Sequence, residues 1–366
     1  MLAVIKKAMV EQNKKRIPLN KDVILLLKGL LIGKALTLVV IGGLLWWLRE
    51  SLFVASDTPA IQSSNLVPGA NTKSNFQTVS VVPSGSFRYG GSPAWAPIRQ
   101  LVDAQIQNTR PELQLSYINP ANRSPSSNAA IEMLLDGKLD IAQTSRPLTA
   151  AESAIAKQRG FTLEQHPVAT DGVAVVVNPS LQIEGLTTKQ LQQIYQGEIT
   201  NWQQVGGANL PITPFSLRPE DTDATIFESA AQQSGSNVQF VSSTTEALRK
   251  VKATPGGVYY ASARAVVPQC SAKPLALGRT AEKLVSPYQQ PLVPANACPR
   301  QRNQLNIEAF KNGDYPITRN LYVIFKDNQN QQQVGEAYTN LLLSEQGQKA
   351  LEQAGFTQPL PDVASR

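Results

Sequence analysis

The chain has 366 residues, 42% of them hydrophobic and 17% charged, which is too apolar for a disordered segment and long enough for two domains or one two-lobed body with appendages. Its formal charge of +7 is concentrated at one end. Residues 1–49 carry nine Lys and Arg against Glu11 and Asp22, and taking these from totals of 34 basic and 27 acidic residues leaves 25 of each sign in the remainder. A neutral body excludes a nucleic-acid-binding domain, which needs a basic face on its folded part.

In chain order, the first feature is a basic segment, 1–29, followed by LLIGKALTLVVIGGLLWWL at 30–48, interrupted only by Lys34. At about 1.5 Å per residue this run spans most of a ~30 Å hydrocarbon layer, with Trp46 and Trp47 suited to the interface and Lys34 able to snorkel. The upstream positive charge predicts a cytoplasmic N-terminus and a translocated body. Two readings of the helix are open, an uncleaved anchor and a cleaved signal peptide. The run exceeds the ~7–15 apolar residues of a signal peptide, and Val54-Ala55-Ser56 is a weak cleavage site, so the anchor is preferred. Residues 49–77 form a linker whose stretch from 55 onward, rich in Ser, Asn, Pro and Gly, shows no period and reads as a flexible tether.

From Thr78 the pattern alternates. Strands are expected at 78–83, 113–118, 139–145, 172–178, 211–216, 257–261 and 321–326. Helices are expected at about 95–107, 129–136, 188–195 with Thr188 as its cap, 222–233, 243–250, 331–343 and 345–354. GVAVVVN at 172–178 reads as a strand buried on both faces, of the parallel type. Strands separated by helices predict βαβ units, a parallel sheet and an α/β class, with ligands held outside the carboxyl ends of strands. Cys270 and Cys298, in no metal-type spacing, read as a structural disulfide in an exported protein or as two buried thiols. His166, the only histidine, precedes Pro167 and reads as structural. The chain shows no nucleophile with its base, no Walker loop and no metal cluster, so no enzyme activity, cofactor or metal is expected.

Several stretches resemble one family. GLTTKQLQQIYQGEITNWQQVGG (185–207) is the clearest, joined by LLDGKLDIAQTSRPLT (134–149), TDGVAVVVNPS (170–180), GGVYYAS (256–262) and LLLSEQGQKALEQAGF (341–356). Together they resemble the PstS-type phosphate-binding proteins that serve ABC importers, particularly a cyanobacterial-looking branch, over about 78–358. The resemblance implies a two-lobed type II periplasmic-binding-protein fold, here preceded by one transmembrane helix. The substrate-binding domain would be 78–360, with lobe 1 at about 78–170 and 266–360, lobe 2 at about 171–265, and a hinge crossing near Thr170-Asp171. It also implies capture of a small inorganic anion, phosphate foremost, and delivery to ABC permease subunits from a body outside the cytoplasm.

The family holds its anion with three loops, each leading into a helix, where backbone N–H groups, hydroxyls and an arginine converge. In YGGSPAWAP (89–97), Ser92 matches the first hydroxyl residue, while Pro93 and Ala94 replace threonines and Pro93 lacks an N–H. In SPSSNAAIEMLLDG (124–137), Ser127 matches the ligand hydroxyl, and Ser126, Asn128 and Ala130 stand where glycines are usual. In FSLRPEDTDATIF (215–227), Arg218 matches the arginine and Thr222 keeps a hydroxyl. Asp223 either faces the cleft against an anion or, like Asp221, caps the following helix. Weaker candidates are Arg146, which reads equally as an ion-pair partner, Asp171, which reads equally as part of a turn, and Ser86, beside Arg88 and Tyr89. A diverged module with a degenerate phosphate site, acting in sensing or partner binding, is the alternative function.

Overall fold

The computed structural model describes residues 74–218, 235–294 and 296–360. The expected transmembrane segment at 30–48, most of the tether and the expected helix at 222–233 lie outside them. Among the described residues no helix is long and apolar enough to cross a membrane.

Ten strands form the described sheet: β1 (Gly85–Gly91), β2 (Leu113–Tyr117), β3 (Ile141–Thr144), β4 (Leu163–Val177), β5 (Gly185–Thr187), β6 (Thr213–Leu217), β7 (Gln239–Val241), β8 (Gly257–Ser262), β9 (Lys273–Gly278) and β10 (Thr318–Lys326). Their order is β2-β1-β3-β10-β4-β8-β6-β7, with β9 pairing β4 and β5. The expected all-parallel sheet is corrected to a mixed one. β1 runs parallel to β2 and β3, and β6 runs parallel to β7 and β8. β4 and β10 are antiparallel to each other and to their other neighbours. Every residue of β4 from Val168 to Val177 is buried. Burial on both faces produces the same unbroken apolar run whichever way the neighbours point, so the run carried no information on direction.

A second correction concerns the first strand. Residues 78–83 are turn and irregular chain, because Thr78 closes a turn on Asn75 through its N–H (3.1 Å to the carbonyl) and its hydroxyl (3.0 Å). The strand begins at Gly85, where GSFRYGG pairs with β2 from Gly85↔Leu113 onward.

The helices follow their caps. A continuous helical stretch, α1, covers 93–109 as a 3-10 turn (Pro93–Trp95), an α turn (Ala96–Ile98), a π turn (Arg99–Asp103) and a final α segment (Ala104–Thr109). Then come α2 (Ser127–Leu135), α3 (Ala150–Gln158), α4 (Thr188–Gln196), α5 (Thr244–Ala253), α6 (Ala263–Val266), α7 (Ile307–Lys311), α8 (Gln329–Leu343) and α9 (Glu345–Gln353). The cap of α4 is Thr187, not Thr188. Thr187 has extended backbone, its hydroxyl accepts from the N–H of Gln190, and the Gln190 side chain returns to the Thr187 N–H. This capping box satisfies two otherwise orphaned donors. Gly197 ends the same helix with φ of 83°, a left-handed conformation that only glycine adopts without strain.

The body holds two groups of buried side chains. One packs α1 and α8 against β1, β3, β4 and β10 through Trp95, Ile98, Val102, Val323, Tyr338 and Leu341, with a smaller cluster around Ile131, Leu134 and Ile324 on the other face. The second gathers Val173–Val177 of β4 with Leu191, Tyr195, Trp202, Phe215 and Tyr259. Val266, Leu275, Leu277, Tyr288, Phe310 and Tyr315 also belong to this second core, although the sequence reading returned the chain to the first lobe from residue 266. β4 contributes Val168 and Ala169 to the first core and Val173 onward to the second. The chain leading into β10 likewise passes from Ile317, against the second core, to Leu321 in the first. The chain therefore crosses between cores at 170–172 and 318–320. Cys270 and Cys298 form the disulfide, with Cα atoms 5.8 Å apart. His166 stacks on Phe325 with ring centroids 5.3 Å apart and lies 3.2 Å from a Glu164 carboxylate oxygen, a structural placement.

Candidate functional site

The first loop is built by close backbone contact. β1 ends at Gly91, where φ is +154° and a Cβ would lie 1.8 Å from the Gln143 carbonyl oxygen. Only glycine lets the strand end pack this closely on β3. The next residue, Ser92, donates its N–H to the same carbonyl at 2.9 Å. Its hydroxyl accepts from the Ala94 N–H at 3.2 Å, capping the turn that opens α1. Trp95, fully buried, anchors that turn by donating its indole N–H to the Thr144 carbonyl at 2.9 Å.

The second loop meets the first. Ser126 caps α2 through the Ala129 N–H, and the Ser127 hydroxyl accepts from the Ser145 N–H at 3.0 Å. The Ser145 and Ser92 hydroxyls are 3.0 Å apart. Ser92 and Ser127, predicted from different loops, are thus joined through Ser145 at the carboxyl ends of β1 and β3, all three buried.

A polar chain supports this cluster from beneath. Arg99 stacks over Tyr117 at 4.3 Å and donates to the Gln143 side chain at 3.0 Å and to the Ser92 carbonyl at 3.4 Å. The Gln143 amide donates to the Tyr338 hydroxyl at 2.8 Å, which donates to Asp103 at 2.7 Å. Burial pushes the Asp103 carboxyl up to about 6, and the hydroxyls of Tyr338 and Tyr89 with the Arg99 charge pull it back only in part.

Opposite these loops stand the carboxyl ends of β6 and β8. Leu217 ends β6 and Ser262 ends β8, while Thr244 opens α5 with its hydroxyl 3.1 Å from that of Tyr259. Between the two sides lies a cavity of about 500 Å³. Its walls include Ser92, Pro93 and Pro97 on one side and Leu217, Tyr259, Tyr260 and Ser262 on the other. Arg264, Arg302 and Arg319 also line it, and no Asp or Glu does among the described residues. An excess of guanidinium over carboxylate, with hydroxyls and helix starts around it, suits an anion.

Arg319 has the most determined geometry of the three. It stands opposite Asp171 in the β4–β10 register. Nε and Nη2 reach Asp171 Oδ2 at 3.2 and 3.0 Å, and Ser262 donates to Oδ1 at 2.9 Å. Burial raises the Asp171 carboxyl, opposed by Arg319 and Ser262.

The other candidates are placed as follows. Arg218 follows β6, is exposed, and is not among the cavity's lining residues. Thr222, Asp223 and Asp221 lie outside the described residues. Arg146 is engaged by Glu152 at 2.6 Å, by Asn128 and by the Pro147 carbonyl, tying α2 to the start of α3. Ser86 sits at the far end of β1, exposed and 3.3 Å from the Ser116 hydroxyl. Arg88 pairs with Asp140, and Tyr89 is buried beside Tyr117 and Tyr338. The sequence reading did not single out Arg264, Arg302 or Arg319. Arg264 stands two residues after GGVYYAS, and Arg319 is a charge at the entry to an apolar strand. Those were the available signals.

Comparison with known proteins agrees with this architecture. Protein SphX of Synechococcus elongatus is 28% identical over 142 residues, covering 38% of this chain and 40% of SphX. The phosphate-binding protein PstS of Bacillus subtilis is 25% identical over 180 residues, covering 48% of this chain and 57% of PstS. The chain therefore spans about half the length of these relatives. The crystal structure of a putative phosphate ABC transporter substrate-binding protein from Clostridium perfringens, with phosphate bound, superposes with a TM-score of 0.57 at 20% identity. That alignment covers 75% of this chain and all of that one, and it establishes the shared fold. The family model for the PBP superfamily domain matches residues 78–346. With that span matched and PstS-type binding proteins, not enzymes, among its relatives, the chain belongs to the PBP superfamily.

Proposed function

We propose that the protein is an extracytoplasmic solute-binding protein, tethered by its N-terminal helix, that captures phosphate or a related oxyanion for an ABC importer. The observation that carries this reading is the cleft. Three arginines and several hydroxyls line it beside the carboxyl ends of β1, β6 and β8, with no carboxylate among its described lining residues. Ser92 and Ser127 support it from the first lobe, as the family pattern leads one to expect, and Arg218 and Thr222 remain the candidates from the third loop. The resemblance to phosphate-binding proteins such as PstS of Bacillus subtilis supports the choice of ligand. The charge placement at 1–49 supports a tether with the body outside the cytoplasm.

One observation favours a second reading, a diverged module with an altered site. Pro93 and Ala94 stand in the first loop where the family carries threonines, and Pro93 offers no N–H to an anion. Titration calorimetry of the purified full chain with phosphate, sulfate and small carboxylates separates the two. Saturable phosphate binding supports capture, and absence of heat with every oxyanion supports the diverged module.

A further inference from the structure

Capture of an anion in a two-lobed protein has to be coupled to the segments that join the lobes. Here those segments are 170–172 of β4 and 318–320 of β10, where the two strands pass from one core to the other. Arg319 and Asp171 lie in these segments and face each other in register. Asp171 is 1% exposed and the Arg319 side chain 12%.

The donor count of the guanidinium is incomplete. Asp171 takes Nε and Nη2 through a single oxygen, and its other oxygen is taken by Ser262. Nη1 is buried and has no hydrogen-bond partner among the described residues. An unpaired donor on a buried cation is costly, because water is excluded and nothing replaces it. Arg319 nevertheless borders the cleft together with Ser262, Tyr259 and Tyr260. An oxyanion seated beside Ser262 would supply the missing acceptor once the cleft rearranges to admit it to the buried Nη1. Arg218, the arginine expected from the loop pattern, is exposed and outside the cleft lining.

We infer that Arg319 is an anion-ligating residue of the cleft, held by Asp171 as its positioning residue, so that the ligand's charge is bound directly on the two strands that cross between the lobes. This rests on the reading of the cleft as an oxyanion site. Asp171 fixes the plane of the guanidinium and leaves Nη1 for the ligand, which makes Arg319 part of both the site and the hinge.

The test is phosphate titration of the full chain and two variants, Arg319→Gln and the double variant Asp171→Asn with Arg319→Gln. The double variant removes both buried charges and so guards against misfolding of the single one. Loss of one charge-assisted contact predicts a Kd raised about 10- to 100-fold in every variant that folds, at about 1.4 kcal/mol per decade. A Kd within threefold of wild type in either folded variant overturns the inference while leaving phosphate capture standing. A wild-type chain that binds no oxyanion overturns both. A structure of the wild-type chain with phosphate decides the matter independently of any variant. A phosphate oxygen within about 3.2 Å of Nη1 supports the inference. Phosphate held elsewhere in the cleft, or an acceptor from the chain itself on Nη1, overturns it.

Discussion

Asp103 offers a stability test of the support beneath the first loop. Its carboxyl is buried, and its folded-state pKa is pushed from the ordinary 3.8 to about 6. The native state therefore keeps a proton that the unfolded chain releases between these values. Stability from this group is fully present below about pH 3.8 and is lost as the pH rises through about 6. A shift of about two units corresponds to about 3 kcal/mol. Asp103→Asn keeps an acceptor for the Tyr338 hydroxyl and removes the titration. The variant should gain about 2.5 kcal/mol relative to wild type between pH 4 and pH 7.5, whatever its offset at pH 4. Carboxylates held low by ion pairs, such as Glu152 and Asp140, change stability in the opposite sense but equally in both proteins. Denaturant unfolding followed by tryptophan fluorescence, repeated at several pH values, measures the difference, with Trp95 reporting from the same helical stretch. A difference that stays flat across this window refutes the assignment of a buried, protonated Asp103.

Three further predictions test the fold and its setting. Gly91→Ala places a Cβ against the Gln143 carbonyl at an unfavourable φ and should cost about 2–5 kcal/mol. A melting temperature within a degree or two of wild type would show that β1 and β3 do not pack this closely. Trp202→Ala removes a fully buried indole that donates to the Gly256 carbonyl at 3.1 Å and should cost about 3–5 kcal/mol by the same assay. The full chain should sediment with membranes and resist alkaline extraction, while a chain lacking residues 1–49 should be soluble. Release of the full chain by salt alone would argue against the tether.

Much of the second lobe was legible because its signals are local. The block at 185–207 carries the amphipathic α4, the Gly197 stop and an Asn201-capped turn, all within a few residues of one another, although the cap itself is Thr187, one residue before the expected Thr188. The first two loops were legible in part, since Ser92 immediately precedes a helical turn and Ser127 opens a helix. Their meeting through Ser145 depends on β1 and β3 lying side by side, which no local pattern encodes. The strand at Gly85–Gly91 was missed because its glycines, of which Gly91 allows the close packing on β3, read as turn residues. The direction of β4 was misread because double burial erases alternation. The role of Arg319 was not legible for a different reason. Its partner Asp171 lies 148 positions away, and a lone charge in a strand acquires a role only when folding places a carboxylate opposite it.

The central claim is that the cleft captures a small oxyanion. Titration calorimetry of the full chain with phosphate at low salt tests it most directly. The account predicts saturable one-to-one binding in the micromolar range or tighter, weakened by Arg319→Gln. No heat with phosphate, sulfate or any small carboxylate, from protein shown to be folded, would contradict it.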